Sequence, residues 1–248
     1  RVVQIFCCGG VSHLDTFDYK PELERMHGKT LEGKGENLGF FGQPGKVMKS
    51  VYEFRQHGRS GAWMSSLLPH LAGCVDDVCF IHSMYAKSNN HTPATFQMNS
   101  GFTLNGFPSM GAWLSYGLGT ENENLPAFVA LSPGGNGGGS LLRSGFLPAQ
   151  YQGTPFSDSE VEPEKMIANL RNPWLDAKAQ RRQLDAIQAL NREFGASFGG
   201  DDFLEGRIQS MEAAYRMQFE ALDVFDIRKE PEAVRAEYGA SSFGNGCL

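Results

Sequence analysis

Three short apolar runs, far apart and each bounded by glycine or polar turn residues, most restrict how this chain can fold. They are residues 2–6 (Val2-Val3-Gln4-Ile5-Phe6), 78–81 (Val78-Cys79-Phe80-Ile81) and 127–131, ending at Leu131. Runs of this length suit buried strands. Helix-like stretches lie between them. Residues 63–75 carry Leu67, Leu68 and Leu71 on one side, with the helix start set near Pro69. Residues 93–100 are closed by Gly101, and 109–118 form a further candidate. Strands alternating with helices predict an α/β domain on a largely parallel sheet flanked by helices. Residues 19–60 are polar and glycine-rich, with Lys29, Lys34, Lys46 and Lys49, and read as an irregular excursion. The glycine run at 133–140 reads as a flexible loop.

The last third changes character. Residues 177–194 and 203–225 are charged and periodic; in the second, Leu204, Ile208, Met211, Tyr215, Leu222 and Phe225 recur at helical steps. This predicts a helical hairpin over 177–226, inserted in a single α/β domain spanning 1–248. Its apolar stripe serves the core, because the other faces carry mixed charge. An apolar share of 41% is ample for a buried core. The formal net charge is −6 and the basic residues are scattered, so the basic stripe of a nucleic-acid binder is missing. No apolar run approaches the ~20 residues of a membrane-spanning helix. Five cysteines cannot all pair within one chain, and buried thiols are expected. A start at Arg1 without Met predicts either a removed leader or a fragment, and 240–248 reads like the approach to another helix.

Two stretches could carry chemistry. The first is Gly9-Gly10-Val11-Ser12-His13-Leu14-Asp15-Thr16-Phe17-Asp18, directly after the first apolar run. In open α/β sheets ligands gather beyond the C-terminal strand ends. Asp15 and Asp18 would offer hard oxygen and His13 borderline nitrogen to a divalent metal ion such as Zn, Ca, Mg or Mn. The alternative is that the two carboxylates cap a short helix and His13 is simply a satisfied polar residue. The second stretch is Ser88-Asn89-Asn90-His91-Thr92-Pro93, which opens a helix. The helix start offers N–H groups and a positive dipole end to an anion. There Thr92 is a candidate hydroxyl nucleophile and His91 a candidate base, ligand or nucleophile. Asn89 and Asn90, with Ser12, are the candidate substrate-binding residues. Simple N-capping by Asn90 or Thr92 is the competing explanation.

Other signals are weaker. The glycine run lacks the Gly-Lys-Ser/Thr ending of a phosphate loop, and Ser12 does not sit in a Gly-x-Ser-x-Gly elbow. Asp76-Asp77 read as turn residues, and His70 and His82 as structural.

Taken together, several pieces resemble the bacterial DUF1501 family. They are residues 9–18, Leu68-Pro69-His70-Leu71-Ala72, Ser88-Asn89-Asn90-His91, residues 111–119, and Asn124-Leu125-Pro126-Ala127-Phe128-Val129. Gly145-Phe146-Leu147-Pro148-Ala149, Tyr151-Gln152-Gly153-Thr154 and Ser242-Phe243-Gly244 complete the set. The resemblance implies an alkaline phosphatase or sulfatase-like fold, an export signal, and members that run past residue 248. In the sulfatase order of motifs, His91-Thr92-Pro93-Ala94-Thr95 stands where Cys-x-Pro-Ser-Arg opens the helix, so His91 falls on the nucleophile position and Thr95 on the arginine. Two functions remain open on this basis. One is an exported, metal-dependent hydrolase of a phosphate or sulfate ester or another anionic group, acting on a small anionic substrate or a sulfated or phosphorylated polymer. The other is a secreted binding or scaffolding module that keeps the fold without the nucleophile.

Overall fold

A computed structural model describes residues 1–30, 45–131, 138–158, 160–197, 199 and 201–248, apart from the side chain of Asp202. The chain divides into two compact units, residues 1–85 and 86–248.

The first unit opens without a strand. Val2, Val3 and Ile5 are largely exposed, and the chain turns at Gly10, whose N–H donates to the Cys7 carbonyl. A short helix α1 (His13–Thr16) follows, then α2 (Pro21–Met26), started by a proline at its first position. Strands β1 (Phe54–His57) and β2 (Ala62–Ser65) form an antiparallel hairpin with Phe54 opposite Ser65 and His57 opposite Ala62. The turn is held from outside: Asp76 accepts from the Arg59 and Ser60 N–H groups at 2.9 and 2.8 Å. Helix α3 (Pro69–Ala72) starts at Pro69 and is much shorter than the 63–75 expected, because Trp63 and Met64 belong to β2. Met64, Ala72 and Val75 form the core of this unit, covered by Phe17, Ala62, Leu68 and Phe80.

The second unit is mainly helical. Asn90 caps α4 (His91–Ser100), and Gly101 ends it in the left-handed conformation at φ 84°. Ser109 caps α5 (Met110–Leu118). Strands β3 (Val129–Leu131) and β4 (Thr154–Phe156) pair in parallel over three residues. Helix α6 (Pro163–Met166) leads into the long α7 (Ala177–Ser197) and α8 (Asp202–Val224), followed by α9 (Glu232–Tyr238) and α10 (Ser242–Cys247). Phe156, Met166, Ile167, Leu170 and Ala221 make the core, with Met217, Leu222 and Phe225 of the α8 region packed on it. Of the glycine run, residues up to 137 lie outside those described; Gly138–Leu142 form a 3-10 turn.

The α/β class with a largely parallel, helix-flanked sheet of alkaline phosphatase type is therefore corrected. About 48% of the chain is helical, and the described residues contain only two two-stranded sheets. A strand needs a neighbour to take up its N–H and C=O groups. Residues 2–6 and 78–81 have the composition of strands but pair with no other strand among the described residues; only the run ending at Leu131 finds a parallel partner, in β4. The expectation of buried thiols also fails, since all five cysteines are exposed. Among the described residues no helix is long and apolar enough to cross a membrane.

Candidate functional site

In the first unit the residues of the 9–18 stretch are held by α1 and by its contact with the hairpin. The Ser65 hydroxyl donates to the Asp15 carbonyl at 2.6 Å, fixing α1 against β2. Buried Thr16 donates its hydroxyl back to the Ser12 carbonyl at 3.0 Å. Ser12 stands at the N-cap of α1, yet its hydroxyl donates to the Asp15 carboxylate at 2.5 Å instead of accepting from the helix. That bond, and a second from the Ser50 hydroxyl, hold the Asp15 carboxyl below the ordinary carboxylate range.

Asp18 is the centre of a different arrangement. Its side chain is only 12% exposed, and three nitrogen-bearing groups converge on it. Lys20 Nζ lies 2.8 Å from Oδ1, His82 Nδ1 lies 3.7 Å from the same oxygen, and His13 Nε2 lies 3.9 Å from Oδ2. The two imidazoles are 60% and 47% exposed for His13 and His82, so a solute can reach both. His82 is placed by aromatic packing: its ring stacks on Phe80 at 6.0 Å and 11°, and Phe80 in turn meets Phe17, which covers the core, at 5.9 Å.

Of the expected metal ligands, His13 and Asp18 come together, while the Asp15 carboxyl accepts from the Ser12 and Ser50 hydroxyls. One carboxylate with two imidazoles is a donor chemistry that borderline divalent ions accept. The spacing does not complete it: among the described residues no three His, Cys, Asp or Glu side chains form a group that could hold a metal ion. Lys20 already occupies one Asp18 oxygen. A structural part for His82 was the expectation, and the structure puts it beside Asp18. The signal lay in the Phe80-Ile81-His82 order, because residues two apart in an extended chain share a face.

The second candidate stretch falls in the other unit. Ser88 accepts from the Asn90 N–H at 3.1 Å, and the Asn90 side chain accepts from the Thr92 N–H at 3.2 Å. Asn90 is thus the N-cap of α4, the capping alternative in its simplest form. Asn89 and His91 are exposed at the helix start, and Thr92 is half-buried in its first turn. Pro93 is the third helical residue, where its missing N–H costs no helical hydrogen bond.

Comparison with known proteins adds one finding. The family model described as "Protein of unknown function (DUF1501)" matches residues 1–248. No curated protein and no solved structure matches the chain. The chain belongs to the DUF1501 family.

Proposed function

We propose that this DUF1501 protein is a hydrolase acting on a phosphate or sulfate ester, or on another small anionic group, through the cluster around Asp18. One observation carries the reading: His13 and His82, from opposite ends of the first unit, flank a single shielded carboxylate that also holds a lysine. Lys20 offsets the Asp18 charge, so each imidazole that takes a proton makes the cluster positive and attractive to an anion. Imidazole is the side chain that most often serves as general acid or base. In an ester held between the two rings, one ring accepts the proton of the attacking water and the other donates to the leaving oxygen. Asp18 orients both and steadies whichever is cationic. The divalent cation expected from the sequence is the added component that the assay varies.

A second reading is favoured by the Lys20–Asp18 contact at 2.8 Å. A carboxylate already neutralised in this way suits a module that binds an anion without turning it over. Hydrolysis of p-nitrophenyl phosphate and p-nitrophenyl sulfate, with and without Zn, Ca, Mg or Mn, separates the two. The hydrolase reading expects turnover that falls about 100-fold or more in His82→Ala. Absence of turnover under every condition overturns it, and saturable phosphate or sulfate binding without turnover establishes the second reading.

A further inference from the structure

The first unit holds a hollow of about 510 Å³ between α2 and the approach to β1. Its size falls within the range of small-molecule sites. Tyr19, Tyr52 and Phe54 line it together with Glu24, Lys49 and Glu53. The Tyr19 ring is set by its neighbours, lying 5.4 Å from Phe54 and 4.4 Å from Trp63 with interplanar angles of 35° and 31°. An aromatic face fixed in this way loses little freedom when a ligand stacks on it. Tyr52 stays 38% exposed beside it.

The polar part of the wall is compensated in pairs. Lys49 Nζ lies 3.1 Å from Glu24, and Arg55 lies 3.0 Å from Glu53. The Lys49 N–H donates to His27 Nδ1 at 3.3 Å. The wall therefore presents donors and acceptors with little net charge, and an anion or a cation gains no strong coulombic advantage there. A purely apolar ligand would gain contact with Met48, Val51 and the rings, but it would strip water from the paired charges without replacing their hydrogen bonds. The ligand that matches is uncharged, rich in hydroxyl groups and flat enough on one side to lie against an aromatic ring. That is the chemistry of a pyranose ring.

We propose that the hollow lined by Tyr19, Tyr52 and Phe54 binds a neutral sugar ring of an oligosaccharide or polysaccharide. This goes beyond the ester reading and does not rest on it, since neither imidazole and no part of Asp18 lines the hollow. The test is affinity electrophoresis of the purified chain through gels containing hydroxyethylcellulose, xyloglucan, galactomannan, laminarin or pullulan. Calorimetry with the matching hexasaccharide then gives the affinity. At least one of these neutral glycans is expected to retard the chain. Tyr52→Ala is expected to weaken binding about tenfold or more. Lys49→Met, which keeps the aliphatic stem but removes a donor, is expected to weaken it too, with circular dichroism confirming that both variants are folded. Retardation by none of the five, or binding unchanged in both folded variants, overturns the assignment. No ester enters the measurement, so its failure is distinct from a failure of the hydrolase reading.

Discussion

Asp18 shows how much a single side chain can organise. It is buried, it takes an ammonium on one oxygen, and it draws one imidazole to each of its two oxygens. His13→Ala is expected to lower ester turnover by about 10²–10⁴-fold, the usual contribution of a positioned acid or base, measured as kcat against the parent. Asp15 is a contrast within the same helix. Its carboxyl is held low by the Ser12 and Ser50 hydroxyls, so Asp15→Asn is expected to leave turnover within about threefold of the parent while loosening the α1 start. A fall of the size expected for His13→Ala would place Asp15 in the chemistry. Gly145 is constrained in a different way, by backbone geometry. Its φ is +60° and a Cβ would lie 2.5 Å from the Pro108 nitrogen, so Gly145→Ala forces main chain apart. A loss of about 2–4 kcal/mol in denaturant unfolding is expected.

At the level of elements, two contacts define what holds each unit's parts. The β1–β2 turn rests on Asp76, whose carboxyl is held below the ordinary range first by the Arg59 N–H and then by the Ser60 N–H. A carboxyl lower in the folded state than in the unfolded one adds stability above the unfolded value, near pH 4, and loses it as pH falls through the folded one. Amide exchange at Arg59 and Ser60 should therefore quicken, relative to the hairpin ladder, below about pH 4; Asp76→Ala should remove that pH dependence. In the second unit, Arg181 of α7 pairs with Glu212 of α8 at 2.6 Å, and this bond lowers the Glu212 carboxyl and raises the guanidinium. Glu212→Ala is expected to cost about 1 kcal/mol, a Tm decrease of about 2–4 °C, because the pair is partly exposed and screened. Phe156→Ala is far more costly. Phe156 is almost fully buried and meets Phe225 edge-on at 4.5 Å, so about 3–5 kcal/mol is expected by denaturant unfolding.

Across the whole molecule, what the sequence discloses follows the range of the forces involved. Helix ends were legible because capping is local: the Ser109 hydroxyl accepts from the Ala112 N–H to cap α5, and the Gly101 N–H donates to the Gln97 carbonyl to close α4. Pro69 marked the α3 start for the same reason. The sheet was not legible, since a strand's partner is not written in the strand, and residues 2–6 read the same with or without one. The hairpin spans residues 54–65, across the end of the polar 19–60 stretch, whose composition hid a turn between Gly58 and Gly61 at φ 64° and 66°. The candidate site divides along the same line: His13 and Asp18 are close in sequence and were found together, whereas His82, far along the chain, comes beside Asp18 with Phe80 packed on Phe17. The most direct test of the Asp18 cluster is a phosphate titration followed by the ring C–H signals of the six histidines in NMR spectra. The signals of His13 and His82 are expected to shift together and saturably, with those of His57 and His70 unmoved. If His13 and His82 stay still, or move no differently from the other four, the cluster is not an anion site.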